Sequence, residues 1–189
     1  VAQAAIDEGI AGVSAEEFNI DRYREQLEAR LGESYSVMRQ MINQVKGKGK
    51  RIVFPEGDKE PVLRAAAQLV DQNICHPILL GPVDRIDQMV EELGLNFEYD
   101  AYDPRYDERR KTEYANAFFR RRQRKGTTWA DAARLLKSRP YFAAQMVHAG
   151  DADGFVGGVS RNYADVLRPT LELIGKANDA HCVIGCYMM

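Results

Sequence analysis

Residues 51–81 read RIVFPEGDKEPVLRAAAQLVDQNICHPILLG, and the order of apolar runs and turns within them predicts the fold class. Residues 51–54 form a short apolar run, and the turn-forming sequence PEGD ends it. The next apolar side chains recur at helical spacing: Val62, Leu63, Ala66, Leu69, Val70 and Ile74. Residues 76–81 then predict a second strand and a turn. A strand, a helix and another strand at this spacing predict a βαβ unit with a parallel sheet.

The same alternation continues toward the end of the chain. The pattern predicts a helix around residues 86–93, a third strand at 97–100 and a fourth at 154–156, with another at 182–185. Residues 107–149 predict three helices, of which Thr128 caps the second and Pro140 opens the third. Residues 163–174 predict a turn and a helix. The expected fold class is α/β, a three-layer α/β/α domain with a parallel sheet that ends in a core strand and is therefore incomplete.

The first 46 residues predict helices only. Ser14 and Glu17 fit a capping box, and two apolar stripes follow: Ile20, Tyr23, Leu27 and Leu31, then Val37, Met38, Met41, Ile42 and Val45. Helices without a sheet must bury such stripes against the rest of the chain or another subunit. The sequence KGKGK at residues 46–50 is a flexible, charged linker. We therefore expect a helical segment over residues 1–47 and the α/β domain over residues 48–189.

Composition excludes several classes of protein. Of 189 residues, 45% are hydrophobic and 29% are charged, and the net charge is −2, which favours neither nucleic acid nor a membrane surface as partner. No apolar run approaches the roughly 20 residues of a membrane span, and the N-terminal residues do not resemble a secretory signal. Cys182 and Cys186 are interpreted as reduced thiols of a cytoplasmic protein, with half of a metal site as the alternative.

Gly157 and Gly158 follow a predicted strand and carry the most chemical information. Glycines at the carboxyl end of a strand let backbone N–H groups approach an anion, and Ser160, Arg161 and Arg168 can hold phosphate. The alternative is a tight turn whose arginines are solvated or paired with an acidic neighbour. The segment matches neither Gly-x-Gly-x-x-Gly nor a Walker loop.

Three further features qualify this site. Pro169 predicts a helix start, which would place Arg168 at a helix N-terminus, where an anion would compensate its charge. Residues 55–58 either line a cleft or form only a turn. The basic cluster at residues 120–125 is interpreted as a solvated helix end, with a docking patch for a polyanion or an acidic subunit as the alternative. The three histidines have neither metal-ligand nor triad spacing.

At this level of detail the chain resembles a known family. The sequences FPEG at residues 54–57, RPYFAAQMV at 139–147, GDADGFVGG at 150–158 and ADVLRPTL at 164–171 are similar, in this order, to phosphate acetyltransferase domains. Residues 1–11 are similar to the last helix of bacterial malic enzymes. The combination resembles the hybrid NADP-dependent malic enzymes, in which an acetyltransferase-like domain follows the catalytic domain.

The resemblance implies a function for the whole protein. The parent would convert malate to pyruvate with NADP and Mg or Mn, none of which this segment would hold. This segment would bind acetyl-CoA as an effector and help to form a homo-oligomer. Arg168 matches the arginine that contacts phosphate or acyl-CoA in active members. The expected ligand-binding set is Gly157, Gly158, Ser160, Arg161, Tyr163 and Arg168, with no catalytic residue.

Residues 160–163 depart from the small polar residues of active acetyltransferases. The sequence SRNY is bulkier and more charged, which favours binding without turnover. About half of the family's domain, including other residues used for the chemistry, is also expected to lie outside the chain. The alternatives are an active phosphate acetyltransferase, which interconverts acetyl-CoA and acetyl phosphate, and a structural oligomerisation module without a ligand.

Overall fold

The computed structural model describes residues 19, 33–177 and 179–183. The chain divides into two compact units, with the boundary between Val45 and Lys46. Of the first unit the structure describes helix α1 (Glu33–Val45), whose residues Val37, Met38, Met41 and Val45 are exposed. The capping box and the apolar stripe predicted before Gly32 lie outside the described residues.

The second unit alternates strands and helices. In chain order its elements are β1 (Lys50–Phe54), α2 (Glu60–Asp71), β2 (Cys75–Leu80), α3 (Val83–Glu92), β3 (Asp100–Tyr102), α4 (Glu108–Arg122), α5 (Trp129–Leu135), α6 (Arg139–Ala149), β4 (Gly154–Phe155) and α7 (Tyr163–Leu173). A 3-10 turn (Gln123–Lys125) follows α4. No helix among the described residues is long and apolar enough to cross a bilayer.

The four strands form a parallel sheet in the order β3-β2-β1-β4. The chain therefore moves outward from β1 to β3 and then returns to the other side of β1. In register, Phe54 lies beside Leu79, and Ile52 lies beside Gly154. The strand order reverses between β1 and β4, and ligands of open α/β sheets bind at such a switch point.

Alternate strand residues face two separate cores. Val53, Ile78 and Leu80 pack with buried residues of α4, α5, α6 and α7 on one face of the sheet. Phe54 and Leu79 pack with residues of α2 and α3 on the other face. Because successive strand side chains point to opposite faces, each layer of helices buries one set. The predicted three-layer α/β/α architecture is confirmed.

Two predicted strands need correction. The third strand is Asp100–Tyr102, and Phe97 and Tyr99 do not join the sheet. Their ring centroids lie 5.0 Å apart, both rings pack against the core that α2 and α3 share, and the Tyr99 hydroxyl donates to Asp87 Oδ1 of α3. The apolar alternation at residues 97–99 therefore reflects packing against a helix. Cys182 and Val183 belong to no strand, and the rest of the strand predicted there lies outside the described residues.

The predicted cap of α5 is confirmed as a capping box. Thr128 Oγ1 accepts a hydrogen bond from Asp131 N at 3.1 Å, and Asp131 Oδ2 accepts one from Thr128 N at 3.3 Å. We expect Thr128→Ala to lower the free energy of unfolding by about 1 kcal/mol, since the first turn loses this partner. Urea denaturation measures the change. Thr127→Ala is the matched control, and an equal effect of both substitutions would contradict the assignment.

Candidate functional site

The candidate site lies where the carboxyl ends of β1 and β4 meet. Residues 55–59 leave β1, and residues 156–162 leave β4 and lead into α7. Because β1 and β4 are parallel neighbours, both loops emerge at the same edge of the sheet. The turn after β1 is buried at residues 55–58, so it lies beneath the surface at this edge of the sheet.

Glu56 links the two loops. Its Oε2 accepts hydrogen bonds from Gly158 N at 2.7 Å and from Val159 N at 2.9 Å. Its Oε1 accepts from Ser160 N at 2.6 Å and from Ser160 Oγ at 2.5 Å. The residue is only 4% exposed. Four donors from one loop thus surround a single buried carboxylate.

The pKa of the Glu56 carboxyl reflects two opposing effects. Burial raises it, since removal from water disfavours the charged form. The hydrogen bonds from the Ser160 hydroxyl and from the amides of residues 158–160 stabilise the carboxylate and lower it. The second effect prevails, and the pKa falls from 4.5 to about 2. Glu56 is therefore an anion at neutral pH and a poor proton acceptor there.

Gly57 fixes the turn that carries Glu56. Its N–H donates to the carbonyl of Leu80 at 3.1 Å, so the turn after β1 is attached to the end of β2. A Cβ at this position would lie 2.7 Å from Leu79 Cβ and 3.0 Å from Leu80 N. Only glycine fits, because the backbones approach too closely for a side chain.

A buried ion pair holds the other end of the same turn. Arg139, at the start of α6, donates from Nη1 to Asp58 Oδ1 at 2.7 Å and from Nη2 to Oδ2 at 3.3 Å. Burial raises the pKa of Asp58, but hydrogen bonding and the charge of Arg139 outweigh burial and hold the pKa below its usual value. Residues 55–58 thus form a buried turn that holds the loop after β4, and none of them lines the cavity beside that loop.

A cavity of about 530 Å³ opens beside the loop after β4. It is lined by Phe155, Val156, Gly157, Gly158, Arg161, Tyr163, Val166, Leu167 and Thr170. Its walls are mostly apolar, and Arg161 is the charged residue among these lining residues. Arg161 is exposed, and it makes no hydrogen bond or ion pair within the part of the chain that the structure describes.

The structure brings together four of the six predicted ligand residues. Gly157, Gly158, Arg161 and Tyr163 line the cavity. Ser160 instead donates to Glu56 through its N–H and its hydroxyl, and it does not line the cavity. The sixth residue, Arg168, is exposed on α7 and does not line this cavity.

The predicted helix start at Pro169 is wrong. Helix α7 begins at Tyr163 and continues through Pro169, which is buried inside it together with Leu173. Packing of this apolar face, joined to that of α6 in one core, overrides the local preference of proline for a helix start. Arg168 therefore lies within the helix and not at a helix N-terminus where an anion would compensate its charge.

Part of the basic cluster at residues 120–125 serves the fold. Arg122 Nη2 lies 3.4 Å from Glu172 Oε1, and Glu172 Oε2 accepts a hydrogen bond from the Tyr141 hydroxyl at 2.9 Å. Arg121 donates to the carbonyl of Ile174 at 3.2 Å. Two arginines of the cluster thus attach α4 to α7, a role that neither sequence interpretation included. Arg120, Arg124 and Lys125 remain exposed at the helix end.

Glu56 is the site residue that the predicted ligand-binding set omitted, although it lies within residues 55–58, which the sequence placed either at a cleft or in a turn. The available signal was an acidic residue immediately after a buried strand, with a glycine pair after a second strand. Only the adjacency of β1 and β4, which lie about a hundred residues apart in the chain, brings them together. Within the described residues, no group of three or more His, Cys, Asp or Glu is placed to hold a metal ion.

Comparison with known proteins gives two sets of relatives. The probable NADP-dependent malic enzyme of Rickettsia prowazekii is 34% identical, and the match covers 100% of this chain and 25% of that protein. The NADP-dependent malic enzyme of Rhizobium meliloti is 33% identical over 98% of this chain and 24% of its own length. The phosphate acetyltransferase of Corynebacterium glutamicum is 35% identical over 79% of this chain and 45% of its length.

Solved structures of phosphotransacetylases have a fold similar to that of this chain. The EutD phosphotransacetylase from Staphylococcus aureus superposes with a TM-score of 0.70 at 32% identity, over 79% of this chain and 45% of that one. A phosphotransacetylase from Streptococcus pyogenes superposes with a TM-score of 0.68 at 34% identity, over 73% and 42%. The chain thus spans a quarter of the malic enzymes and less than half of the acetyltransferases that it matches. A family model described as phosphate acetyl/butaryl transferase matches residues 36–189, and the chain belongs to that family.

Proposed function

We propose that this chain is the acetyl-CoA-sensing domain of an NADP-dependent malic enzyme. The observation that carries the proposal is the extent of the matches. Both malic enzymes match 98–100% of the chain, whereas the Corynebacterium acetyltransferase matches 79%. The chain therefore shares with the malic enzymes a part that this acetyltransferase match does not cover. The parent would oxidatively decarboxylate malate to pyruvate with NADP and Mg or Mn bound outside this segment.

The cavity beside α7 suits the two chemical halves of acetyl-CoA. Its apolar wall, which includes Phe155, Val166 and Leu167, offers burial to the acyl group and to the methylenes next to the thioester. Arg161 supplies a guanidinium that can bind a phosphate oxygen pair. A mostly apolar pocket with one convergent cation is typical of a site that binds an amphiphilic anion.

The lining of the cavity supports binding without turnover. Among the described residues that line it, none is a His, Cys, Asp or Glu that could act as a general acid or base. The neighbouring Glu56 is already an anion with four hydrogen-bond donors, so it has little capacity to take up a proton. The chain thus favours an effector site over a transferase site.

Regulation requires that acetyl-CoA bind one state of the assembly more tightly than another. We propose a homo-oligomer in which the exposed apolar stripe of α1 takes part. The stripe consists of Val37, Met38, Met41 and Val45. If this surface is buried against a second copy in one state of the assembly and less so in another, acetyl-CoA can shift the equilibrium between the two states.

Titration calorimetry of the full-length protein with acetyl-CoA tests the site. We expect Arg161→Ala to weaken binding about tenfold or more, since a charge-assisted hydrogen bond contributes roughly 1.5–3 kcal/mol. We expect Arg168→Ala to weaken it less, because Arg168 does not line the cavity. In an assay of malate oxidation at increasing acetyl-CoA, the concentration that gives the half-maximal effect should shift more in Arg161→Ala than in Arg168→Ala.

Arg85→Ala is the matched control, since Arg85 is exposed on α3 in the other helical layer. It should leave the affinity for acetyl-CoA unchanged. Absence of acetyl-CoA binding by the wild-type protein would contradict the proposed function. Equal affinity of the wild type and the Arg161 variant would contradict the site.

An active phosphate acetyltransferase is the second candidate. The family assignment and the phosphotransacetylase structures favour it. A coupled assay that follows CoA release from acetyl-CoA with inorganic phosphate decides between the two. Sustained turnover by the full-length protein would favour the transferase, and acetyl-CoA binding without turnover would favour the sensor.

A further inference from the structure

The turn at residues 158–160 has the form of an anion-binding site. Three consecutive N–H groups and the Ser160 hydroxyl converge on one position, and helix α7 begins three residues after Ser160. Convergent backbone amides of this kind form concavities that hold phosphate or carboxylate groups. Here the position is already filled by the carboxylate of Glu56.

The surrounding packing keeps Glu56 in this position. Gly57 lies against β2 too closely for any side chain, and its N–H donates to the carbonyl of Leu80, so the turn that carries Glu56 is attached to the sheet. At Gly157 a Cβ would lie 3.5 Å from Pro55 Cγ and 3.9 Å from Glu56 Oε2, so the loop after β4 lies directly on the turn after β1. The internal carboxylate is thus fixed on one side by the sheet and on the other by the loop.

This arrangement has a consequence for any anionic ligand. The three amides are occupied, and the fixed negative charge of Glu56 repels a second anion from them. The next residue in the chain after the last bound amide is Arg161, which is exposed and lines the cavity. Attachment of Ser160 to Glu56 therefore sets where the backbone of Arg161 enters the cavity.

We propose that Glu56 is an internal ligand that occupies the anion-binding turn at residues 158–160 and acts as a positioning residue for Arg161. The loop is held in its ligand-binding shape by the protein's own carboxylate, so an external phosphate is held by the Arg161 side chain and not by backbone amides. The positioning role rests on the proposed binding of acetyl-CoA, whereas the occupation of the turn does not.

Hydrogen exchange of the full-length protein, read by mass spectrometry, tests the occupation of the turn. In Glu56→Ala we expect the peptide that contains residues 158–160 to exchange about tenfold faster or more, since its amides lose their acceptor. Added formate should restore protection in this variant, because a small carboxylate can enter the vacated position. Formate should leave the same peptide of the wild type unchanged, since its position is filled.

Calorimetry with acetyl-CoA tests the positioning role. Glu56→Ala should weaken binding about tenfold or more, and formate should recover at least part of the loss. A residue that only stabilised the fold would not give formate-dependent recovery of affinity. Asp103→Ala is the matched control, because Asp103 is also a buried carboxylate that accepts from an arginine and an amide, but at the end of β3. It should change neither the exchange of residues 158–160 nor the response to formate.

Each outcome supports or overturns the proposal. Unchanged exchange in Glu56→Ala, or rapid exchange that formate does not slow, overturns the occupation of the turn. Rapid exchange with unchanged affinity for acetyl-CoA overturns the positioning role. If Glu56→Ala does not fold, Glu56→Gln should still show faster exchange and weaker binding. The NH2 group of the glutamine is itself a donor and cannot accept the hydrogen bonds from the N–H groups of residues 158–160 that one carboxylate oxygen accepts. If the wild type does not bind acetyl-CoA, the proposed function fails, and the formate experiment alone decides whether the turn holds an internal ligand.

Discussion

Arg139→Gln should lower the free energy of unfolding by about 3 kcal/mol, because it leaves a buried carboxylate without its partner cation. Asp58 is 8% exposed, and both of its oxygens accept hydrogen bonds from Arg139. Removal of one member of a buried pair is costly, since the other charge stays in a medium of low polarity. The expected loss is at the lower end of the usual range because water that reaches Arg139 can also partly solvate the Asp58 carboxylate once its partner is removed.

The two single substitutions should differ in cost. Asp58→Asn leaves Arg139, whose side chain is 23% exposed, while Arg139→Gln leaves Asp58, whose side chain is 10% exposed. The less exposed charge is the more expensive one to leave unpaired, so Arg139→Gln should be the more destabilising change. The double variant should cost less than the sum of the two, since neither charge then remains.

Urea denaturation measures these differences, with the fluorescence of Trp129, the one tryptophan of the 189 residues, as the signal. Arg64→Gln is the control, because Arg64 pairs with Glu60 on the exposed surface of α2 and should cost less than about 0.5 kcal/mol. Additive effects of Asp58→Asn and Arg139→Gln would contradict direct coupling between the two charges.

The layers of this fold follow from local patterns. Val53, Ile78 and Leu80 lie in short apolar runs, and Leu63 and Ala66 recur at helical spacing. Run length, flanking turn residues and periodicity together therefore separate most of the strands from the helices. The parallel arrangement follows too, because a helix between two strands requires a crossover connection. These patterns are local in the chain, which is why the sequence was sufficient for them.

The candidate site depends on contacts that local patterns do not encode. Glu56 and Ser160 are 104 residues apart, and they meet only because β4 pairs with β1 and not with β3. At Pro169 the burial of one face of α7 overrides the local rule for proline. Gly157 and Arg161 line the cavity as predicted, and the sequence could identify them because a glycine directly after a strand is a local signal. Arg168 was also predicted, but it does not line the cavity.

Glu56→Gln should lower the free energy of unfolding by about 3 kcal/mol at neutral pH. In the wild type, acid should remove the same contribution, because it protonates Glu56. The pKa of Glu56 is about 2 in the folded chain and 4.5 as its ordinary value. Because the folded pKa is the lower one, the unfolded chain binds a proton more readily. The contribution of Glu56 is therefore complete above about pH 4.5 and is lost as the pH falls from 4.5 toward 2.

The measurement is the difference in unfolding free energy between the wild type and Glu56→Gln from about pH 7 to pH 3. Other buried carboxylates, such as Asp58 and Asp103, also have lowered pKa values and make both proteins acid-sensitive. Because they are common to both proteins, their effect cancels in the difference, which should be constant above about pH 5 and fall to less than half by about pH 3. Glu60→Gln, on the exposed surface of α2, should show a small difference that barely changes with pH. A difference for Glu56→Gln that stayed constant down to about pH 3 would mean that the amides of residues 158–160 do not hold a carboxylate.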